Sequence, residues 1–169
     1  MQAKLTNNTR TLKISIFFRY TLAMSTKITN RYARFEYEIS EPLETGLVLV
    51  GDEIKAIRAS RVNLKGSYVK IFYEKDNAEA YLVGSHFHTD TVDPYRTRKL
   101  LMHRKQIDHL IGKTQEKGLT IVPLSIYITR GKAKLEIALG RGKKLFDKRA
   151  TIRERELNIK TKRILENQK

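Results

Sequence analysis

GLTIVPLSIYITRGKAKLEIALG, residues 118–140, is the stretch whose pattern decides the fold. Val122, Leu124, Ile126 and Ile128 recur at every second position, Arg130-Gly131 marks a turn, and Ala133, Leu135, Ile137 and Leu139 alternate back. A period of two places such residues on one face of a strand, and a glycine break between two such runs signals a hairpin. Upstream, YVKIFY at 68–73 alternates in the same way, KDN at 75–77 reads as a turn, and AYLV at 80–83 answers it as a second hairpin. LVLV at 47–50 is a short strand candidate, apolar on both faces. Five or six short antiparallel strands predict a mainly β domain, a small barrel or a sandwich.

One helix is expected among them. RTRKLLMHRKQIDHLIGK, Arg96 to Lys113, follows Asp93-Pro94 and runs to Gly112; Leu100, Ile107, Leu110 and Ile111 form its apolar stripe, with Arg98, Lys105 and His109 turned outward. GDEIKAIRAS at 51–60 predicts a further helical turn, with Ile54 and Ile57 three apart and Glu53, Lys55 and Arg58 pointing elsewhere.

The net charge of +16 is concentrated at the two ends. Residues 140–169 hold eleven Lys or Arg against four Asp or Glu, and residues 1–34 hold seven basic residues and no acid, so the segment between them is near neutral. Cationic arms on a neutral body fit a polyanion gripped along its backbone, nucleic acid first of all. The expected division is an N-terminal extension at 1–29, a folded domain at 30–139 and a basic tail at 140–169. Within the tail, Thr151 and Glu154 have capping-box spacing and Glu156 stands four residues before Lys160. Ile152, Leu157, Ile159, Ile164 and Leu165 are too scattered for a continuous buried stripe, so the tail is expected to become helical on a partner rather than alone.

Other classes are narrowed by composition. With no cysteine there is neither a disulfide framework nor a thiolate zinc site, and this fits a reducing compartment such as the cytoplasm. The longest apolar run, ISIFF at 14–18, falls far short of the roughly 18 residues of a membrane helix, so no membrane partner is expected. The acid-poor opening MQAKLTNNTRTLKISIFFRYTLAM ends at Met24 and reads either as sequence upstream of the true start or as an organellar transit peptide; the first is preferred. His86, His88 and Asp90, with His103 or His109, would be the ligands of a metal-dependent enzyme, but a single loop cluster is more often solvent-exposed or hydrogen-bonded histidine. No nucleophile elbow, phosphate loop or zinc-protease motif is present, so neither catalysis nor a cofactor is expected. Tyr32, Phe35, Tyr95 and Phe146, interleaved with Arg and Lys, are candidate rings for stacking unpaired bases.

These residues fall into an ordered set of motifs: NRYAR at 30–34, ETGLVLVGDEIKAIR at 44–58, VNLKGSY at 62–68, DPYRTRKLL at 93–101, GLTIVPLSIY at 118–127 and GKKLFDKR at 142–149. The set resembles the small protein B (SmpB) family, the partners of transfer-messenger RNA in rescue of stalled ribosomes. The resemblance implies an oligonucleotide-binding-type (OB-fold-like) antiparallel β-barrel with flanking α-helices, and a tail that enters the empty messenger channel. Its implied partners are transfer-messenger RNA, the small-subunit RNA of the ribosome and, indirectly through the RNA, elongation factor Tu. Asn30, Arg31, Glu44, Lys55, Arg58, Lys99, Leu101 and His103 match motifs that form or support the family's RNA-binding face. Gly142, Lys143, Lys144, Phe146, Asp147, Lys148, Arg149 and Arg153 match the segment that contacts the decoding centre, with Phe146 placed to stack on a ribosomal base. Asn63, Ser67 and Tyr68 match barrel structure. The chain departs from the pattern in a shortened stretch between His86 and Asp93, and at Asp52, Ala56 and Phe35. The plainer alternative is a general binder of structured RNA or a ribosomal protein with basic arms.

Overall fold

The computed structural model describes residues 27–74, 77–115 and 118–166; the opening at 1–24 and most of the expected turn at 75–77 lie outside them. The strands are β1 (Ile28–Thr29), β2 (Tyr37–Leu47), β3 (Val62–Asn63), β4 (Tyr68–Glu74), β5 (Asn77–Val83), β6 (His86–Phe87), β7 (Arg98–Leu101), β8 (Leu119–Thr129) and β9 (Lys132–Gly142). The helices are α1 (Arg31–Glu36), α2 (Gly51–Arg58), α3 (Arg104–Thr114) and α4 (Leu145–Glu166).

Seven strands form one antiparallel sheet in the order β1-β8-β4-β5-β7-β2-β9, and pairing of β9 with β8 closes six of them into a barrel. Closure removes the open edges a sheet would otherwise present. Ile57, Leu82, Phe87, Ile126, Leu135 and Ile137 fill the interior with no exposed surface. Both expected hairpins are present as β4–β5 and β8–β9.

The β8–β9 hairpin departs from its simple alternation. Pro123 pairs with Ile137 and Ser125 with Glu136, so Leu124 is an extra residue in a bulge. Proline cannot donate to the ladder and is found in sheets at such breaks. Val122, Leu124, Ile126 and Ile128 therefore do not share one face. Ile121, Ile126 and Ile128 belong to the barrel core, whereas Val122 and Leu124 join Ala33 and Ala138 in a second cluster under α1.

Three further expectations are corrected. LVLV at 47–50 is not a strand of its own: β2 starts ten residues earlier and ends at Leu47, because pairing with β9 carries its acidic residues into the sheet despite their weak strand propensity. The helix expected from Arg96 to Lys113 is a strand followed by a shorter helix, broken at Met102-His103. Arg98 and Leu100 face the interior along β7, while Lys99 and Leu101 face out. The tail helix begins at Leu145, six residues before Thr151. Its Ile152, Leu157, Ile159 and Ile164 are exposed, in keeping with the absence of a continuous apolar stripe.

Candidate nucleic-acid interface

The candidate interface is organised by an ion pair buried between α2 and β7. Glu53, expected to point away from the core, lies on the same helical stripe as Ala56 and Ile57 and is fully buried. Arg98, expected on the solvent face of a helix, is equally buried. Arg98 Nε donates to Glu53 Oε1 at 2.7 Å, and Arg96 Nε donates to the same oxygen at 2.8 Å. Glu53 Oε2 accepts the backbone N–H of Val50 at 2.9 Å. The remaining guanidinium donors of Arg98 reach the carbonyls of Ser85, Arg96 and Pro94, and its plane lies 3.8 Å from the centroid of the Phe87 ring. Burial pushes the Glu53 carboxyl up, but Arg96, the Val50 amide and Arg98 outweigh it and hold it below its ordinary value. Burial likewise lowers the Arg98 guanidinium against the raising pull of Glu53. A buried charge without a partner is expensive, so this cluster ties α2, β7 and the 84–96 connection together.

On the other side of β7 the alternation presents Lys99 and Leu101. Lys99 pairs with Glu79, and Leu101 is 57% exposed. Leu101 stands opposite Gly46, where an added Cβ would meet the leucine Cβ at 3.0 Å; glycine is what lets the two strands carry this side chain. Gly46 in turn faces Lys134, and Lys134 faces Tyr127 across the next ladder. Glu44 binds both, accepting Lys134 Nζ at 2.9 Å and the Tyr127 hydroxyl. The Tyr127 hydroxyl bond holds the Glu44 carboxyl below its ordinary value and pushes the phenol up to about 12. Beside this wall runs a groove of about 550 Å³ lined by Leu49, Ile54, Leu101, Met102, His103 and Lys134. It combines an apolar floor with a lysine rim.

The sequence-derived residues divide into separate groups. Glu44, Lys99, Leu101 and His103 share this wall or its groove; the backbone N–H of His103 at the start of α3 is capped by Gln106 at 2.9 Å. Lys55 and Arg58 are exposed on α2, whose Ile54 lines the same groove. Lys55 is raised above its ordinary value by its hydrogen bond to Asp52 at 2.9 Å. Asn30 and Arg31 lie elsewhere, with α1 at the opposite end of β2, where Tyr37 and Ile39 pack. Asn30 is buried and spends its amide internally, accepting from the Ala33 N–H and donating to the carbonyls of Leu64 and Pro123. Arg31 is exposed.

Of the rings, Tyr32, Tyr95 and Phe146 are 41%, 63% and 64% exposed and Phe35 is half-buried, 6.2 Å from Tyr32 between centroids. The His86 and Tyr95 rings meet at a tilt with centroids 4.8 Å apart, and among the described residues no three His, Cys, Asp or Glu gather to hold a metal. Exposed Asn63, in the separate β3–β6 ribbon, accepts from the Lys65 N–H, and buried Ser67 donates to the Leu64 carbonyl just before β4.

The tail leaves the barrel through α1. Lys143 N donates to the Glu36 carbonyl at 2.9 Å, Lys143 Nζ to the Arg34 carbonyl at 3.1 Å, and Lys148 Nζ to Glu36 Oε1 at 3.1 Å. Gly142 ends β9 and Lys144 is exposed in the link. Beyond, Phe146, Arg149 and Arg153 are exposed, while Asp147 sits in the first helical turn, where a negative charge suits the helix dipole. No helix among the described residues is long and apolar enough to cross a membrane.

A family model described as SmpB protein matches residues 27–167. The SsrA-binding protein of Acaryochloris marina is 52% identical over 134 residues, 75% of this chain and 84% of that protein. The SsrA-binding protein of Halalkalibacterium halodurans is 50% identical over 142 residues, 80% of this chain and 90% of that protein. A solved chain described as "tmRNA-SmpB: a journey to the center of the bacterial ribosome" is 42% identical, with a TM-score of 0.58 over 71% of this chain and 86% of that one.

Proposed function

The chain belongs to the SmpB protein family, and from that premise we propose that it binds the tRNA-like part of transfer-messenger RNA and delivers it to stalled ribosomes. The family is one of RNA-binding proteins, not enzymes. The observation that carries the reading is the outer wall of β7, β2 and β9, where exposed Leu101, His103 and Lys134 line one groove and Lys99 and Glu44 stand on the same outer face beside it.

Each side chain has a distinct part. Lys99 and Lys134 neutralise phosphates, with Lys55 and Arg58 extending the cationic surface from α2; phosphate contacts of this kind supply affinity and salt dependence. Leu101 packs an apolar surface of the RNA, a sugar face or an exposed base, and Glu44 orients Lys134 and the Tyr127 hydroxyl. Asn30, whose amide is spent inside the protein, holds α1 and through it the exit of the tail. The wall reads a folded RNA by shape and backbone rather than by sequence.

The tail acts on the ribosome. Beyond Gly142, which ends β9, Lys143 to Arg149 and Arg153 lie on a cationic element that touches the barrel through α1, and its helix docks in the vacant messenger channel of the small subunit, with Phe146 stacking on a ribosomal base. Elongation factor Tu meets the complex through the RNA, and the protein works in the cytoplasm. Competition binding tests the capture of the adaptor RNA, because transfer-messenger RNA should displace the labelled complex at far lower concentration than bulk tRNA. Equal potency would leave only a general binder of structured RNA.

A further inference from the structure

Two carboxylates stand directly opposite each other on the outer face of the wall. Glu44 of β2 pairs with Glu136 of β9, and like charges facing each other across a ladder are destabilising. Each is answered in the same way, by one lysine and one hydroxyl from β8. Lys27 Nζ lies 3.1 Å from Glu136 Oε2, and Ser125 Oγ donates to the same oxygen at 2.7 Å. Lys134 Nζ lies 2.9 Å from Glu44 Oε1, and the Tyr127 hydroxyl donates to Glu44 Oε2.

Tyr127 touches both sets. Its partner across the β8–β9 ladder is Lys134, and the Lys27 ammonium sits 5.5 Å from its ring centroid. The ring is half-buried, whereas the Glu44 side chain is 48% exposed. Glutamate and lysine side chains carry among the largest rotamer entropies, so each must be held by something stiffer to keep one direction. The packed ring is the stiff member here. Order passes from the tyrosine to the acid and from the acid to the lysine. Stability alone does not account for the arrangement, because an exposed lysine–glutamate pair adds little and the opposed acids work against it.

We infer that Tyr127 is a positioning residue for RNA capture: its hydroxyl fixes the Glu44 carboxylate, and the carboxylate holds the Lys134 ammonium toward a backbone phosphate of the tRNA-like partner. A phenol suits this task because it is neutral. It occupies one carboxylate oxygen without adding a charge that would repel either the lysine or the RNA. Lys134 has three ammonium donors, so its pairing with Glu44 leaves donors for a phosphate. Lys134 also lines the groove together with Leu101, which places the aimed cation beside the apolar contact. The inference deepens the functional reading above and rests on Lys134 touching RNA.

A double-mutant cycle in the full-length protein tests it, read as affinity for a tRNA-like-domain transcript at several salt concentrations. Tyr127→Phe removes the hydroxyl and keeps the ring under Lys27. It should weaken binding about 3- to 10-fold, the span of one net hydrogen bond, and flatten the salt dependence toward that of Lys134→Ala. In the Lys134→Ala background the same change should alter affinity less than about twofold, because the cation it positions is gone. A residue that only braced the sheet would act whether or not Lys134 were present. An equal loss in both backgrounds, no loss in either, or a Lys134→Ala protein that binds like wild type would overturn the inference. If wild type bound the transcript no better than bulk tRNA, the functional reading would fail instead, and the same cycle on bulk tRNA would still decide the role of Tyr127.

Discussion

Arg98 Nε and Glu53 Oε1 lie 2.7 Å apart, 45 residues apart in the chain, with both side chains fully buried. This contact decides which face of β7 is which. With Arg98 committed to Glu53 inside, alternation leaves Lys99 and Leu101 outside, in reach of a ligand. The candidate wall is the outward consequence of an inward ion pair.

Removing one partner should therefore be worse than removing both. Glu53→Met leaves an uncompensated buried arginine and should cost about 3–5 kcal/mol in urea denaturation. Glu53→Met combined with Arg98→Met should recover much of that loss. The folded-state pKa of Glu53 is lowered from 4.5, so its contribution is present above that value and is lost as pH falls through the folded pKa. The double variant should accordingly lose less stability than wild type on acidification.

Tyr127 should ionise near 12 in an alkaline titration, because its hydroxyl donates a hydrogen bond to the Glu44 carboxylate. Its pKa is raised in the fold, so the bond stabilises fully below the ordinary value of 10 and is lost as pH rises toward 12. Glu44→Gln removes the negative acceptor and should bring the phenolate absorbance change back toward 10. An unchanged profile would mean the bond does not persist in solution.

The wall's residues should separate by their salt dependence. Lys99→Ala and Lys134→Ala should each reduce the slope of log affinity against log salt by about one phosphate contact. Leu101→Ala should weaken binding with the slope unchanged, since it removes surface and no charge. Titrations of the transfer-messenger RNA complex at several salt concentrations distinguish the two signatures.

Much of the barrel was legible because hairpins are local. Alternation and the Arg130-Gly131 turn were enough to find β8 and β9, whereas the change of face at Leu124 needed Pro123 to be read as a bulge rather than as one more strand position. β2 was concealed by its own acids, and only pairing with β9 and β7 makes it a strand. Arg98 was misplaced for a related reason. Leu100, Ile107, Leu110 and Ile111 mimic one helical stripe across a break that no glycine or proline announces, and the partner that draws Arg98 inward is distant in sequence. A signal did exist in Glu53, which shares a stripe with Ala56 and Ile57; an acid on an apolar stripe asks for a buried cation. The candidate wall came from family motifs, and the geometry sorted them, gathering Lys99, Leu101, His103 and Glu44 and leaving Asn30 as an internal brace.

The central claim is that RNA capture and ribosome entry reside on different parts of the chain, and a protein ending at Gly142 tests it most directly. Its affinity for transfer-messenger RNA should stay within about threefold of the full chain, apart from the salt-dependent share of the lost cations, while tagging of nascent peptides on stalled ribosomes should disappear. Loss of RNA binding together with tagging, or tagging that survives without the tail, would contradict the account.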